Sequence, residues 1–471
     1  MLPHFHNTLT RQTEPLTLLD PEQKKLRLYT CGPTVYDHAH IGNFRAYLFE
    51  DLLQRHLESR GYDVERIMNL TDVDDKTIRG AHAKGISLDA YTRPYKDAFF
   101  ADCAALRLRP AKAYPEATDP KNIERMIAMI TTLVERQHAY QAEDGSVYFR
   151  ITSFADYGKL AHVDLQEQRP SGRVQSDEYE KEQIADFALW KAWSPEDGDV
   201  RWESPWGAGR PGWHIECSAM ATRLLGDQID IHCGGIDNLF PHHEAEIAQC
   251  ECVTGRSFVS LWMHCAHLMV DGSKMSKSAG NFYTARQLME RGWSGREIRY
   301  TLLAVHYRIP LNFTMEGLEA SRQAIARIDT WRERLQEFAT VDTSVRPLEK
   351  LGSIDLENFF NSLDNDLNIS AALAVLFEVI RESNRQLDAG TFSADQVAGL
   401  RQWWQRVNSI LALEQEPEEV IPEAVATLLA ARQAARDAKN WGDSDRLRDE
   451  IASLGWQIKD TKGTQKVLRR F

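Results

Sequence analysis

Two short segments rich in phosphate-binding side chains stand far apart in this chain: His40-Ile41-Gly42-Asn43 and Lys274-Met275-Ser276-Lys277-Ser278. A histidine can donate to phosphate oxygens, a glycine lets the backbone pass close to a ligand, and two lysines on a loop supply point charges. Together they could close on one triphosphate from two sides. They would then neutralise charge that grows on the bridging oxygens during attack at phosphorus. Either segment alone reads better as a loop histidine or a solvated turn, because such short matches arise by chance. The pair in one chain is the informative observation.

The elements around these segments say how they are positioned. Leu26–Cys31 alternates like a strand and ends at the turn signal Gly32-Pro33. From Asn43 onward, Phe44, Tyr47, Leu48, Leu52 and Leu57 recur at helical spacing, and Val64–Leu70 reads as a second strand. The His40 segment therefore lies in the loop leaving the first strand of a strand–helix–strand unit, where open α/β sheets bind ligands. A long stretch then interrupts the pattern, carrying Tyr157–Leu160 (YGKL) and Asp186–Lys191 (DFALWK). The pattern resumes with the strand Ile229–His232, a turn at Gly234-Gly235, and a helix opened by Pro241 and running through Gln249. A further strand, His267–Val270, ends in Asp271-Gly272 and delivers the lysine segment onto an exposed loop. The expected organisation is a first nucleotide-fold half over 1–110, an insertion over 111–205 and a second half over 206–258. A lysine-loop region follows over 259–317, then a helical bundle over 318–413 and a small C-terminal domain over 423–471.

Bulk properties narrow the class. At 471 residues the chain is too long for one core. Hydrophobic residues make up 43% and charged residues 27%, ordinary for a globular protein. A formal net charge of −13 means any nucleic-acid contact must come from a local patch. No apolar run approaches the ~20 residues a bilayer span needs, and the N-terminus lacks a signal pattern, so a cytoplasmic protein off the membrane is expected. The 7 cysteines form no CxxC pair, which fits free thiols in a reducing compartment. A metal site would have to be assembled across the fold. Past the prolines of Leu413–Pro422, residues Glu423–Phe471 carry 10 Lys and Arg against 7 Asp and Glu, a net of +3. Arg432, Arg436, Lys439, Trp441 and Arg448 interleave there, a pattern that suits phosphates and an unpaired base or simply a solvated helix.

The contexts of both segments resemble one family. Cys31-Gly32-Pro33-Thr34-Val35-Tyr36-Asp37, Asn69 to Lys76, Gly212-Trp213-His214-Ile215-Glu216-Cys217-Ser218 and Phe240 to Glu246 are similar to motifs of the cysteinyl-tRNA synthetases. These are class I aminoacyl-tRNA synthetases, and the likeness runs over nearly the whole chain. It implies a parallel-sheet, Rossmann-type α/β catalytic domain with an inserted connective domain, a helical bundle and a small anticodon-binding domain. It implies ATP, L-cysteine and tRNA(Cys) as partners, Mg²⁺ accompanying ATP, and one Zn²⁺ held by Cys31, Cys217, His242 and Glu246. His242 and Glu246, four apart on a helix, would face one way. Zinc would favour a thiolate over a serine hydroxyl, a distinction too small for pocket shape alone.

The same resemblance makes His40, Lys274 and Lys277 catalytic. It sets Gly42, Asn43 and Asp237 around ATP with them, and Cys31, Thr71, Trp213 and His242 around the amino acid. Arg436, Trp441 and Asp460 are the candidate tRNA contacts, and we expect a monomer. Three departures stand out. Asn43 replaces the usual closing histidine of the first motif, Cys233 occupies a glycine position, and Cys265-Ala266-His267 replaces a common Asn-Gly. Two alternatives remain open: a cysteine ligase with a small-amine acceptor, similar to the mycothiol-pathway ligases, and a non-catalytic paralogue that binds tRNA or zinc.

Overall fold

The computed structural model describes residues 2–22, 24–163, 185–276, 280–337, 348–415, 422–454, 456, 458 and, as backbone alone, 173–174, 457, 459–461 and 464–469. The chain divides into two compact units, Met1–Leu413 and Glu414–Phe471.

The first unit is built on β1 (Lys25–Thr30), α1 (Ile41–Ser59) and β2 (Asp63–Met68). Helices α2 (Asp75–Lys84) and α3 (Leu88–Ala105) follow. The inserted stretch and the residues just after it form an antiparallel layer of β3 (Ala139–Gln141), β4 (Val147–Phe149), β5 (Asp186–Ala192) and β6 (Gly209–Pro211). Then come α4 (Trp213–Leu225), β7 (Ile229–Gly235), α5 (Glu244–Thr254) and β8 (Val259–Cys265). Strands β8, β7, β1 and β2 pair in that order, all parallel. A strand covered on both faces, as β7 and β8 are, shows a buried run rather than an alternation. Leu28, Ile231, Leu261 and Met263 belong to one apolar cluster, and Tyr29, Ile229, Val259 and Trp262 to another.

Two details differ from the sequence reading. Gly234 and Gly235 do not turn; they complete β7, opposite His264 and Cys265. A Cβ on Gly234 would come within 2.8 Å of the His243 ring, so the glycine is there for a close approach. The helix after Pro241 also continues past Gln249, to Thr254, where Gly255 takes a left-handed conformation.

Beyond the sheet, β9 (Leu268–Val270) pairs with β10 (Ser273–Lys274) and with β11 (Leu311–Phe313). Helices α6 (Met315–Glu337), α7 (Ile369–Asp388) and α8 (Ala394–Leu411) complete the first unit, with Trp331, Leu376 and Trp403 buried among them. Residues 338–347, within the expected helical bundle, lie outside the described residues. The second unit packs α9 (Glu423–Asp437), α10 (Trp441–Ser453) and a hairpin of β12 (Trp456–Thr461) and β13 (Thr464–Arg469) around Val425, Ile451 and Trp456. No helix among the described residues is long and apolar enough to cross a membrane.

Candidate active site

A cavity of about 790 Å³ opens at the carboxyl ends of β1 and β7. It is lined by Cys31, Thr71, Trp213, Cys217 and His242 at one end, and by His40, Gly42, Asn43, Asp237 and Lys274 at the other. Glu246 lies buried behind His242, with its Oε1 3.0 Å from His242 Nε2. Lys277 lies outside the described residues.

His40 is the N-cap of α1, and Asn43 is the third helical residue. The Asn43 backbone N–H donates to His40 Nδ1 at 3.1 Å, and the Asn43 side-chain oxygen accepts the His40 N–H at 3.0 Å. This reciprocal capping gives Asn43 a structural task that requires no charge. It also fixes the histidine tautomer: an Nδ1 that accepts a hydrogen bond leaves the proton on Nε2. Gly42 is small for the sake of this same ring, since a Cβ there would stand 2.9 Å from His40 Nδ1. Lys274 is exposed, its carbonyl held by Asn281 Nδ2 at 3.2 Å. Asp237 faces His267 at 3.2 Å on the cavity mouth, the two 63% and 54% exposed.

The deep end is a cluster of buried titratable groups. Ligand atoms of Cys31, Cys217, His242 and Glu246 lie within 4.8 Å of one another, as do those of Cys31, His232, His243 and Glu246. Cys217 is held down to about 6, first by the hydrogen bond with Cys31, whose own thiol is pushed well above its ordinary value. Burial alone would raise the Glu246 carboxyl, but His232 and His242 bring it to about 2. Burial would likewise lower His242, but Cys217 and Glu246 lift it to about 10. A thiolate, an ionised carboxylate and a protonated imidazole thus share one dry pocket, each sustaining the others' charge. Glu246 Oε1 has no hydrogen bond among the described residues, although it abuts His242 Nε2. His242 and Glu246, beside two thiols, form a donor set whose protons a metal ion would displace on binding.

Other histidines, which the sequence reading did not single out, back this cluster. His243 Nε2 lies 3.3 Å from Cys31 Sγ, and its Nδ1 lies 2.8 Å from His264 Nε2. His232 Nε2 holds Glu246 Oε2 at 3.0 Å, and His214 Nδ1 meets His242 Nδ1 at 2.9 Å. Burial keeps His214, His243 and His264 neutral, with His264 near 3. The only sequence signal was histidines recurring inside apolar strand and helix runs. Trp213 stacks on His242 with ring centres 4.3 Å apart, and the Thr71 hydroxyl donates to Glu216 at 3.1 Å. The inserted stretch is pinned to α5: the Glu244 carboxylate accepts the backbone N–H groups of Gly158, Leu160 and Ala161 at 2.8–2.9 Å.

Arg436 and Trp441 lie in the second unit, half-buried and 60% exposed respectively. Asp460 pairs with Gln465 in the hairpin, and its side chain lies outside the described residues. Arg432, grouped with the exposed cations in the sequence reading, is instead buried, so its guanidinium is not offered to a ligand surface.

Known proteins match this chain throughout. Residues 18–323 match the family model "tRNA synthetases class I (C) catalytic domain", 358–414 a DALR domain, and 418–467 the "Cysteinyl-tRNA ligase anticodon binding domain". The chain is similar in fold to methionyl-tRNA synthetase of Mycobacterium tuberculosis in complex with methionyl-adenylate. That likeness has a TM-score of 0.61 at 15% identity and covers 83% of this chain and 90% of that one. It is also similar to a leucyl-tRNA synthetase of Agrobacterium radiobacter, with a TM-score of 0.60 at 12% identity over 84% of each chain. Sheet, insertion and catalytic-domain match together define a class I aminoacyl-tRNA synthetase. Among curated relatives, the cysteine–tRNA ligase of Chlamydia muridarum is 49% identical, covering 98% of both chains. That of Protochlamydia amoebophila is 49% identical, covering 98% of this chain and 97% of that one. The chain belongs to the cysteine–tRNA ligases, whose substrates are cysteine, ATP and tRNA. The anticodon-domain match weighs against a small-amine ligase, and the catalytic-domain match against a non-catalytic paralogue.

Proposed function

We propose that the deep end of the cavity selects cysteine through one Zn²⁺ held by Cys31, Cys217, His242 and Glu246, while the His40 and Lys274 walls activate it with ATP. The observation that carries this reading is the convergence of both residue sets on one cavity. The alternative metal set, with His232 and His243, is less suited, because neither histidine lines the cavity and an incoming thiol could not reach a metal placed there. Both histidines serve better as hydrogen-bond partners that orient the ligands Glu246 and Cys31. Zinc would supply a Lewis acid with strong preference for a thiolate over an alcohol.

The chain's own residues do the rest. Trp213, stacked on His242, and Thr71, fixed by Glu216, bound the amino-acid pocket. His40 Nε2–H donates to the triphosphate, and Lys274 with Lys277 neutralises its β- and γ-phosphates, which travel with Mg²⁺. Asp237 takes the ribose. Attack by the cysteine carboxylate on the α-phosphorus expels pyrophosphate and leaves cysteinyl-adenylate. A ribose hydroxyl at the 3′ end of tRNA(Cys) then displaces AMP. No protein nucleophile is needed, because the adenylate is already an activated acyl donor.

On this reading 1–110 and 206–258 are the two catalytic halves, 111–205 the connective insertion, 259–317 the lysine-loop and stem-contact region, 318–413 the bundle and 423–471 the anticodon-binding domain. Arg436, Trp441 and Asp460 are its candidate tRNA contacts. The enzyme works as a cytoplasmic monomer off the membrane. Cysteine-dependent ATP–pyrophosphate exchange, run beside tRNA(Cys) charging on zinc-loaded and chelator-stripped protein, tests it. Exchange and charging that both require zinc are expected. Exchange without charging would point to another acceptor, and zinc-independent exchange would sink the selection mechanism.

A further inference from the structure

One lip of the cavity is both aromatic and cationic. Tyr36, His38 and Lys76 line the cavity, with Lys76 Nζ 4.7 Å from the centre of the Tyr36 ring. Farther out, Lys84 Nζ lies 5.0 Å over the Tyr91 ring and 5.8 Å over that of Tyr95. Tyr95 meets His38 edge to face at 5.4 Å and Tyr91 at 5.5 Å. Tyr91 is the buried anchor: its hydroxyl donates to the Tyr36 carbonyl at 3.0 Å, and only a glycine at position 80 leaves room for its ring. This bond ties α3 to the loop that precedes His40. Lys84 and His38 stay exposed, and Tyr36 and Tyr95 are half-buried.

Lys84 and Tyr95 do not line the cavity, so forming the adenylate makes no use of them. Rings and cations alternating along a lip suit a ligand that alternates bases with phosphates, which is an unpaired polynucleotide. We propose that this lip holds the single-stranded 3′ end of the tRNA, with Lys76 and Lys84 on its phosphodiesters and a base stacked on Tyr95. The proposal rests on membership in the tRNA-ligase family and names the residues that would deliver the terminal ribose to the cavity.

The test uses the full chain, with Tyr95→Ala, Tyr95→Phe and Lys84→Ala measured in pyrophosphate exchange and in tRNA(Cys) charging. Loss of one stacked base is expected to raise the KM for tRNA about tenfold, with exchange unchanged and Tyr95→Phe close to wild type. A tRNA carrying 2-aminopurine in its unpaired 3′ end should be quenched on binding wild type and Tyr95→Phe but not Tyr95→Ala. Parallel loss of exchange and charging would make the lip a structural feature only. Charging that stays at wild-type KM in both alanine variants would overturn the proposal. Wild-type protein that exchanges pyrophosphate without charging tRNA would instead sink the parent reading.

Discussion

The floor and the mouth of the cavity hold their charges in opposite ways. On the floor, Cys217, His242 and Glu246 are at most 1% exposed, and each depends on the others for its ionisation. At the mouth, Lys274 is exposed, and Asp237 and His267 face each other in solvent. Opposite charges interact weakly in water and strongly in a dry pocket, but drying them costs their hydration. The floor is therefore organised before any substrate arrives and fails if one member is lost. The mouth stores little energy in the free protein and, on the proposed reading, exerts its effect when a triphosphate brings the opposite charge. His40 stands between these regimes, half-buried, with its ring fixed by backbone rather than by another charge.

Four measurements probe that contrast. Removing the floor should cost most: Cys217→Ala is expected to lose bound zinc and, with it, on the order of 10³-fold in cysteine-dependent exchange. Metal content by emission spectroscopy would reveal whether the thiol is needed, and zinc retained at full stoichiometry would break the contrast. At the mouth, Lys274→Ala should reduce exchange by roughly 10²-fold through lost phosphate stabilisation. Its zinc content and melting temperature should match wild type, because among the described residues no side chain pairs with that charge. Between the two, Asn43→Ala removes one arm of the capping box. It should cost about 1 kcal/mol of stability and a smaller, roughly tenfold, part of the exchange rate. Recovery of stability but not of rate in Asn43→Asp would separate capping from the ligand contact.

The smallest catalytic effect is expected far from the cavity. Asp364 is buried beside His56 and Arg60, with contacts of 2.9 Å and 2.5 Å. Burial pushes its carboxyl up, but these partners overcome it and hold it below the usual carboxylate range. A depressed carboxylate stabilises the fold above its unfolded value and loses that contribution as pH falls through its folded value. Asp364→Asn should therefore lower stability at neutral pH, flatten the acid side of the stability profile and leave the exchange rate per folded molecule unchanged. Urea titrations from pH 7 to pH 3 would measure it.

Much of the α/β framework was legible because its signals are local. β1, α1 and β2 follow from a change of period from two to about 3.6 and back, and from Gly-Pro punctuation. Val259–Cys265 was harder to read, since a strand covered on both faces shows an apolar run without alternation. The capping task of Asn43 was not legible for a related reason. The sequence began the helix at Asn43, whereas the helix begins at Ile41, and only that register makes Asn43 the third residue of a capping box. Arg432 resembled its neighbours in charge, and only packing distinguishes a buried guanidinium from an exposed one.

The sequence by itself determined the chemistry available: which segments can grip phosphate, which thiols, imidazoles and carboxylates can bind a metal, and the order in which they occur. Those are properties of residue type and short spacing. Tertiary structure decided which of these groups act together. Parallel pairing of β1 with β7 carries Cys31 to within ligand distance of residues more than two hundred positions away. It also divides the histidines into His242, which faces the cavity, and His232, His243 and His264, which stand behind it. The physical reason is that burial and neighbouring charge together set protonation, and both are properties of the assembled fold rather than of any segment within it.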